Sequence, residues 1–175
     1  LKGNHDYWWT TLAKMREFVK ENDFNDIDFL YNNSYGYEDK IIVGTRGWAL
    51  NDTENGNKMN HREEERLKLS IQNGLKNGEN KEMICMMHYP PIKNTDEVVS
   101  SNYVEILKEN KVNTCIYGHL HGKAHEEAFE GNYEGINFKL VSADYLDFKL
   151  YKVKLQNNER KRNERERNRG NNRLE

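Results

Sequence analysis

Apolar positions recur at two spacings along the chain, and the change from one spacing to the other marks its elements. Between residues 6 and 19, Trp8, Leu12, Met15 and Val19 stand three or four apart with Phe18 alongside, which predicts a helix with one apolar face. Asp6 is placed to cap it. Residues 27–31 and 40–44 read as strands, with a turn across 33–37. A polar, Asn-rich loop follows Trp48. Asn60 and Glu63 then resemble a capping box opening a helix that carries Leu67, Ile71 and Leu75 and ends near residues 74–78.

Further on the pattern becomes continuous. Residues 83–87 are an apolar run of strand length suited to burial on both faces, and 112–117 are another. Between them, 101–110 bring Tyr103, Ile106 and Leu107 to one side of a helix. From 132 to 155 the pattern predicts two or three strands around Asp144, including 138–141 and 148–153. Strands alternating with helices, then a more antiparallel end, predict an α/β fold. No internal repeat is visible.

A length of 175 residues suits one domain with a real core. An apolar fraction of 35% and a mean hydropathy of −1.07 are low, so the folded portion is expected to be smaller than the whole. The net charge of −2 hides a break in composition. From Gln156 onward there are six Arg and one Lys against four Glu, whereas residues 1–155 carry 16 Lys and four Arg. With Leu174 as its single apolar residue, 156–175 cannot bury a face and is expected to be disordered. This divides the chain into a domain over 1–155 and an Arg/Asn/Glu-rich tail over 156–175. Interleaved glutamates, no aromatics and a net charge of only +3 argue against a nucleic-acid arm. The switch from Lys to Arg also hints at a foreign or frame-shifted extension.

No apolar run approaches the ~20 residues that a bilayer needs, and no signal-peptide pattern is present. The chain opens at Leu1 rather than Met, so its native N-terminus is expected to lie elsewhere. Cys85 and Cys115 each sit in an apolar run and read as buried free thiols, which favours a reducing cytoplasm.

Chemistry gathers in three strings: Gly3-Asn4-His5-Asp6, His88-Tyr89-Pro90-Pro91 and Gly118-His119-Leu120-His121-Gly122. They hold four of the six histidines and both prolines. In the two later strings the histidines follow the C-terminal end of a predicted buried strand, where open α/β sheets place their ligand sites. Pro90 forces Tyr89 to be extended and turns the chain away. Gly118 and Gly122 free the backbone around the second pair for a tight turn. The i, i+2 spacing of His119 and His121 lets one ring serve each of two neighbouring metals, or both serve one. Imidazole nitrogens suit Zn, Mn, Fe or Co better than Ca or Mg.

These three strings, in this order, resemble the calcineurin-like metallophosphoesterase superfamily over residues 3 to about 155. Within it, Gly44-Thr45-Arg46-Gly47-Trp48 and Tyr117 to Gly122 are most like a group of bacterial predicted phosphohydrolases without an assigned substrate. The resemblance implies a metallophosphoesterase-like sandwich of two β-sheets flanked by helices, with its first strands missing. It implies a phosphoester substrate and two divalent transition metals (Mn, Fe or Zn). Asn4, His88 and His119 would bind the second metal and His121 the first. His5 would stand beside the scissile phosphate, stabilising charge and protonating the leaving oxygen. Asp6 would orient His5 or cap the helix. Two metals ~3.5–4 Å apart lower the pKa of a bridging water to about 7 and supply a hydroxide for in-line attack.

One departure follows. Family members carry an Asp-x-His and a Gly-Asp pair upstream of the Asn-His element, and this chain contains neither. The chain is therefore expected to be the later part of a catalytic domain, holding at most one metal poorly, turning over little and exposing a sheet edge, whereas the intact protein is an enzyme. A rival reading is a non-catalytic protein-binding scaffold of the same fold, disfavoured because His5, His88, His119 and His121 all remain. Another makes the Arg-rich tail a nucleic-acid binder or nuclease. The remaining residues have blander expectations. His61 reads as a solvated residue at a helix start and His125 as solvated though within reach of the site, and Arg46 and Arg62 read as solvated. Trp8 and Trp9 read as helix packing, and Glu63 to Arg66 as an exposed helix face with i, i+3 pairs.

Overall fold

A computed structural model describes residues 1–78 and 81–153. Its elements in chain order are α1 (Asp6–Trp9), α2 (Leu12–Glu21), β1 (Tyr35–Tyr37), β2 (Lys40–Thr45), α3 (Glu54–Asn77), β3 (Glu82–Met87), β4 (Ile92–Asn94), β5 (Val98–Ser100), α4 (Asn102–Glu109), β6 (Thr114–Tyr117), β7 (Gly131–Tyr133) and β8 (Ile136–Leu140), with a 3-10 turn over Gly122–Glu127. Six strands form one sheet in the order β1-β2-β3-β6-β8-β7, and β4 pairs with β5 in a second, two-stranded sheet. This is the mixed α/β architecture the sequence predicts.

The inner four strands, β2, β3, β6 and β8, run parallel. Their register stacks buried side chains in rows across the sheet. Val43, Cys85, Cys115 and Phe138 form one row, and Thr45, Met87, Tyr117 and Leu140 form the next. Apart from the buried polar Thr45, both rows belong to the hydrophobic core, with Leu67 and Ile71 of α3 and Tyr103, Val104 and Leu107 of α4 among the other buried members. Burying each such large side chain contributes roughly 1.5–3 kcal/mol. The two cysteines are buried free thiols, as expected, and burial pushes the Cys115 thiol up.

Beyond the second row the ladder continues for one more step. The His88 N–H donates to the Arg46 carbonyl (3.2 Å), Gly118 N–H to the His88 carbonyl (3.2 Å), and Val141 N–H to the Tyr117 carbonyl (2.7 Å). The rim of the sheet therefore begins one residue past a buried layer, and the three-residue antiparallel strands β1 and β7 are the outer strands of the sheet.

Several elements differ from the sequence pattern. The predicted first helix breaks at Thr10, and Thr11 caps α2 by accepting from Lys14 N–H. Trp8 and Trp9 lie on the short first piece and are 77% and 61% exposed, so they are not buried by helix packing, although the Trp9 ring meets Phe18 of α2 edge-on at 6.2 Å. Residues 27–31 form no strand. Asp28 Oδ1 accepts from the Phe29 N–H and Asn33 Oδ1 from the Tyr31 N–H, taking up amides that a ladder would need. Helix α3 starts at Glu54 under a Thr53 cap, six residues before Asn60. Glu63 is fully buried, accepting from Arg46 (3.0 Å), Arg66 (2.6 Å) and Thr45 Oγ1 (2.6 Å), so neither Glu63 nor Arg46 is solvated. Residues 148–153, read as a strand, form none, and Phe148 and Leu150 are exposed. The boundary at 155 and the tail lie outside the described residues. Among the described residues, no helix is long and apolar enough to cross a membrane.

Candidate metal centre

The loop ahead of α1 is folded onto the sheet rim by its own polar groups. Asp6 Oδ2 accepts from the Gly3 N–H at 2.7 Å, and the Lys2 ammonium donates to the Thr10 carbonyl at 2.7 Å. Asp6 therefore closes this loop rather than capping the helix. A Cβ at position 3 would stand 2.8 Å from His88 Cε1, so the loop reaches the imidazole only because residue 3 is glycine. Asn4 is thereby brought to His88, with Asn4 Oδ1 2.6 Å from His88 Nε2. His5 sits at the start of α1, exposed, with its ring stacked on Trp8 at 4.5 Å.

His88 follows β3 directly, and His119 follows β6 by one residue. His119 is at φ +70°, in the left-handed region that costs a non-glycine residue about 1–2 kcal/mol. His119 Nδ1 lies 3.1 Å from His88 Nε2, and the Tyr89 ring flanks both imidazoles. Burial, with His119 next in effect, lowers the His88 pKa to about 4; burial lowers that of His119 too. At neutral pH His88 is therefore uncharged.

Hydrogen bonding alone does not satisfy this arrangement. His88 Nε2 faces an amide oxygen, which only accepts, and a second ring nitrogen. A proton on Nε2 serves one of these neighbours and not the other, while a lone pair there opposes the Asn4 oxygen. Three acceptor-type atoms gathered in this way can instead share a cation. Donor atoms about 2.1 Å from an ion at tetrahedral or octahedral angles stand about 3.0–3.4 Å apart; the two imidazole nitrogens, 3.1 Å apart, meet that spacing, whereas Asn4 Oδ1, 2.6 Å from His88 Nε2, would have to move outward by a few tenths of an ångström. Two neutral imidazoles and an amide oxygen suit a transition metal better than Ca or Mg. The donor set fits.

His121, the other predicted ligand, faces elsewhere. It is exposed, and its Nδ1 lies 2.7 Å from Asp144 Oδ1. Asp144 Oδ2 accepts from the Gly122 N–H at 3.0 Å and lies 3.2 Å from His125 Nε2. The Gly122 N–H, then His121, hold the Asp144 carboxyl well below the usual carboxylate range. Gly122 adopts φ +55°, the turn that delivers its amide. His125 is thus drawn to Asp144 and only half-exposed, whereas His61 and Arg62 are on the exposed side of α3.

The sequence reading missed Asp144 as a site residue. A signal for it existed. Asp144 stands four residues past β8, as His121 stands four residues past β6, and those strands are parallel neighbours.

Residues 1–123 match the family model described as calcineurin-like phosphoesterase. No curated protein and no solved structure matches the chain. The matched segment contains Asn4, His5, Asp6, His88, His119 and His121, and ends before His125 and Asp144.

Proposed function

The chain belongs to the calcineurin-like phosphoesterase family, whose members are metal-dependent hydrolases of phosphoesters, and from that premise we propose that it carries part of a dinuclear hydrolytic centre. The observation that carries the reading is the meeting of Asn4 Oδ1, His88 Nε2 and His119 Nδ1 at the rim of the parallel sheet. When bound, a pair of divalent transition metals (Mn, Fe or Zn) would supply a water acidic enough to ionise near neutral pH, and positive charge for the phosphoryl oxygens.

Asn4, His88 and His119 hold one cation. The low basicity of His88 keeps its ring neutral at pH 7, so a cation there would not compete with an imidazolium proton. His121 serves the other cation. His5, exposed beside this group, steadies the charge that develops on the phosphoryl group and hands a proton to the leaving oxygen. Asp6 fixes the loop that carries Asn4 and His5. Residues 1–175 contain no Asp-x-His string and no Gly-Asp pair, so on their own they retain one cation at most through dialysis and turn over little.

Equilibrium dialysis of the 175-residue chain against Mn or Zn, read by elemental analysis, tests this. The wild type takes up one equivalent, and His88→Ala and His119→Ala each lose it. Release of nitrophenol from p-nitrophenyl phosphate and its bis-ester is slow. A wild type that takes up no metal sinks the reading, as do variants that bind like wild type.

A further inference from the structure

Away from the Asn4–His88–His119 group, the described residues hold one other cluster of ligand-type side chains, His121, His125 and Asp144. Two chemistries suit such a trio: an ion among the three, or a carboxylate hydrogen-bonded to imidazole. The hydrogen bonds around the carboxylate separate them. Asp144 Oδ1 and His121 Nδ1 are 2.7 Å apart, the length of a charge-assisted hydrogen bond. Asp144 Oδ2 already accepts from the Gly122 N–H. The cluster is therefore built as a hydrogen-bonded clasp.

We infer that Asp144 is a positioning residue, which holds His121 as the Nδ1–H tautomer and so presents the His121 Nε2 lone pair to a cation at the sheet rim. The inference rests on the reading of His121 as a ligand given above. A neutral imidazole carries one N–H. Donating it to Asp144 leaves Nε2 bare, whereas the opposite tautomer sets a lone pair against a carboxylate. Carboxylates fix ligand histidines in this way in many metal sites.

The fold explains how the partner arrives. Pairing of β6 with β8 continues through Val141, so the turn carrying Asp144 lies beside the turn carrying His121. His125 closes over the second carboxylate oxygen, and the Tyr145 ring lies 5.1 Å from the His125 ring. The two histidines of the Gly118–Gly122 turn thus offer opposite nitrogens. His119 turns Nδ1 to His88, and His121 keeps Nδ1 for Asp144. That difference suits two separate cations rather than one shared ion.

The test is the 15N spectrum of the imidazoles in the metal-free 175-residue chain, followed by a zinc titration. Wild-type His121 shows the Nδ1–H pattern. Asp144→Ala, and the shape-conserving Asp144→Asn, move it toward the Nε2–H form that a free imidazole favours, while the His88 and His119 signals stay in place. Zinc added well beyond the one equivalent retained at Asn4, His88 and His119 shifts the His121 Nε2 resonance in the wild type, and the midpoint of that second, weak step weakens 10- to 100-fold in the Asp144 variants. His125→Ala leaves the tautomer unchanged. A wild-type Nε2–H pattern, or one that Asp144→Ala does not alter, overturns the positioning role. Shifts still confined to His88 and His119 in a large excess of zinc overturn the assignment of His121 as a ligand. If His88 and His119 are themselves unmoved by zinc while His121 responds, the proposed centre fails and the Asp144 clasp stands.

Discussion

The first 31 residues and the sheet they rest on are held by different means, and the candidate centre spans both. In the sheet, two successive rows of side chains are buried across four strands and covered by α3 and α4. In residues 1–31 the buried apolar side chains are Met15 and Leu30, while Trp8, Trp9, Phe18, Phe24 and Ile27 are exposed. The early segment is tied down largely by polar contacts: the Tyr31 hydroxyl accepts from Arg66, and the Arg46 guanidinium lies over the Tyr7 ring at 4.3 Å. His88 and His119 are therefore positioned by a packed sheet, and Asn4 and His5 by a lightly held loop. Such a loop can open locally while the sheet stays folded.

The largest expected effect falls on the side of the sheet. Glu63→Ala strands Arg46 and Arg66 at a buried position and is expected to cost about 3–5 kcal/mol in urea unfolding. A loss under ~1 kcal/mol would remove the contrast from this side. Native-state hydrogen exchange sharpens it next. Amides of α2 are expected to exchange at least about tenfold faster than those of β3; equal protection breaks the comparison.

A pH effect comes third. The folded pKa of His88, about 4, lies below the ordinary 6.5, so between those values the unfolded chain binds a proton that the folded one does not. In the metal-free chain the melting temperature should therefore fall as pH drops from 7 to 5, and the lowered pKa of His119 acts in the same direction. A melting temperature that rises on acidification contradicts the burial assigned to these rings. Smallest of all, Trp8→Ala is expected to shift stability by less than about 0.5 kcal/mol, because its indole is mostly solvated. A larger loss means that the early segment packs more firmly than its exposure indicates.

The same contrast explains what the sequence made legible. Strands β3 and β6 were readable because both lie in the middle of a parallel sheet, where a continuous apolar run has one meaning. The histidines after them were readable because a strand end is a fixed address on such a sheet. Residues 27–31 misled because side-chain oxygens of Asp28 and Asn33 compete for the backbone, a local effect that apolar alternation does not register. Trp8 and Trp9 misled because helical spacing says which side chains share a face, and not whether anything covers it. Glu63 was hidden by its neighbours in the chain: Arg66 suggested a surface pair, while the partner that buries the carboxylate, Arg46, comes from another element. Asp144 needed the strand order, since only the adjacency of β6 and β8 brings it to His121.

The central claim is that side chains from three separate segments meet around one cation. Anomalous diffraction at the manganese or zinc edge, from crystals of the chain grown with that metal, tests it most directly. The account predicts a peak bonded to Asn4 Oδ1, His88 Nε2 and His119 Nδ1 at about 2.0–2.2 Å. A map with no peak there, the three side chains instead linked only through water, would contradict it.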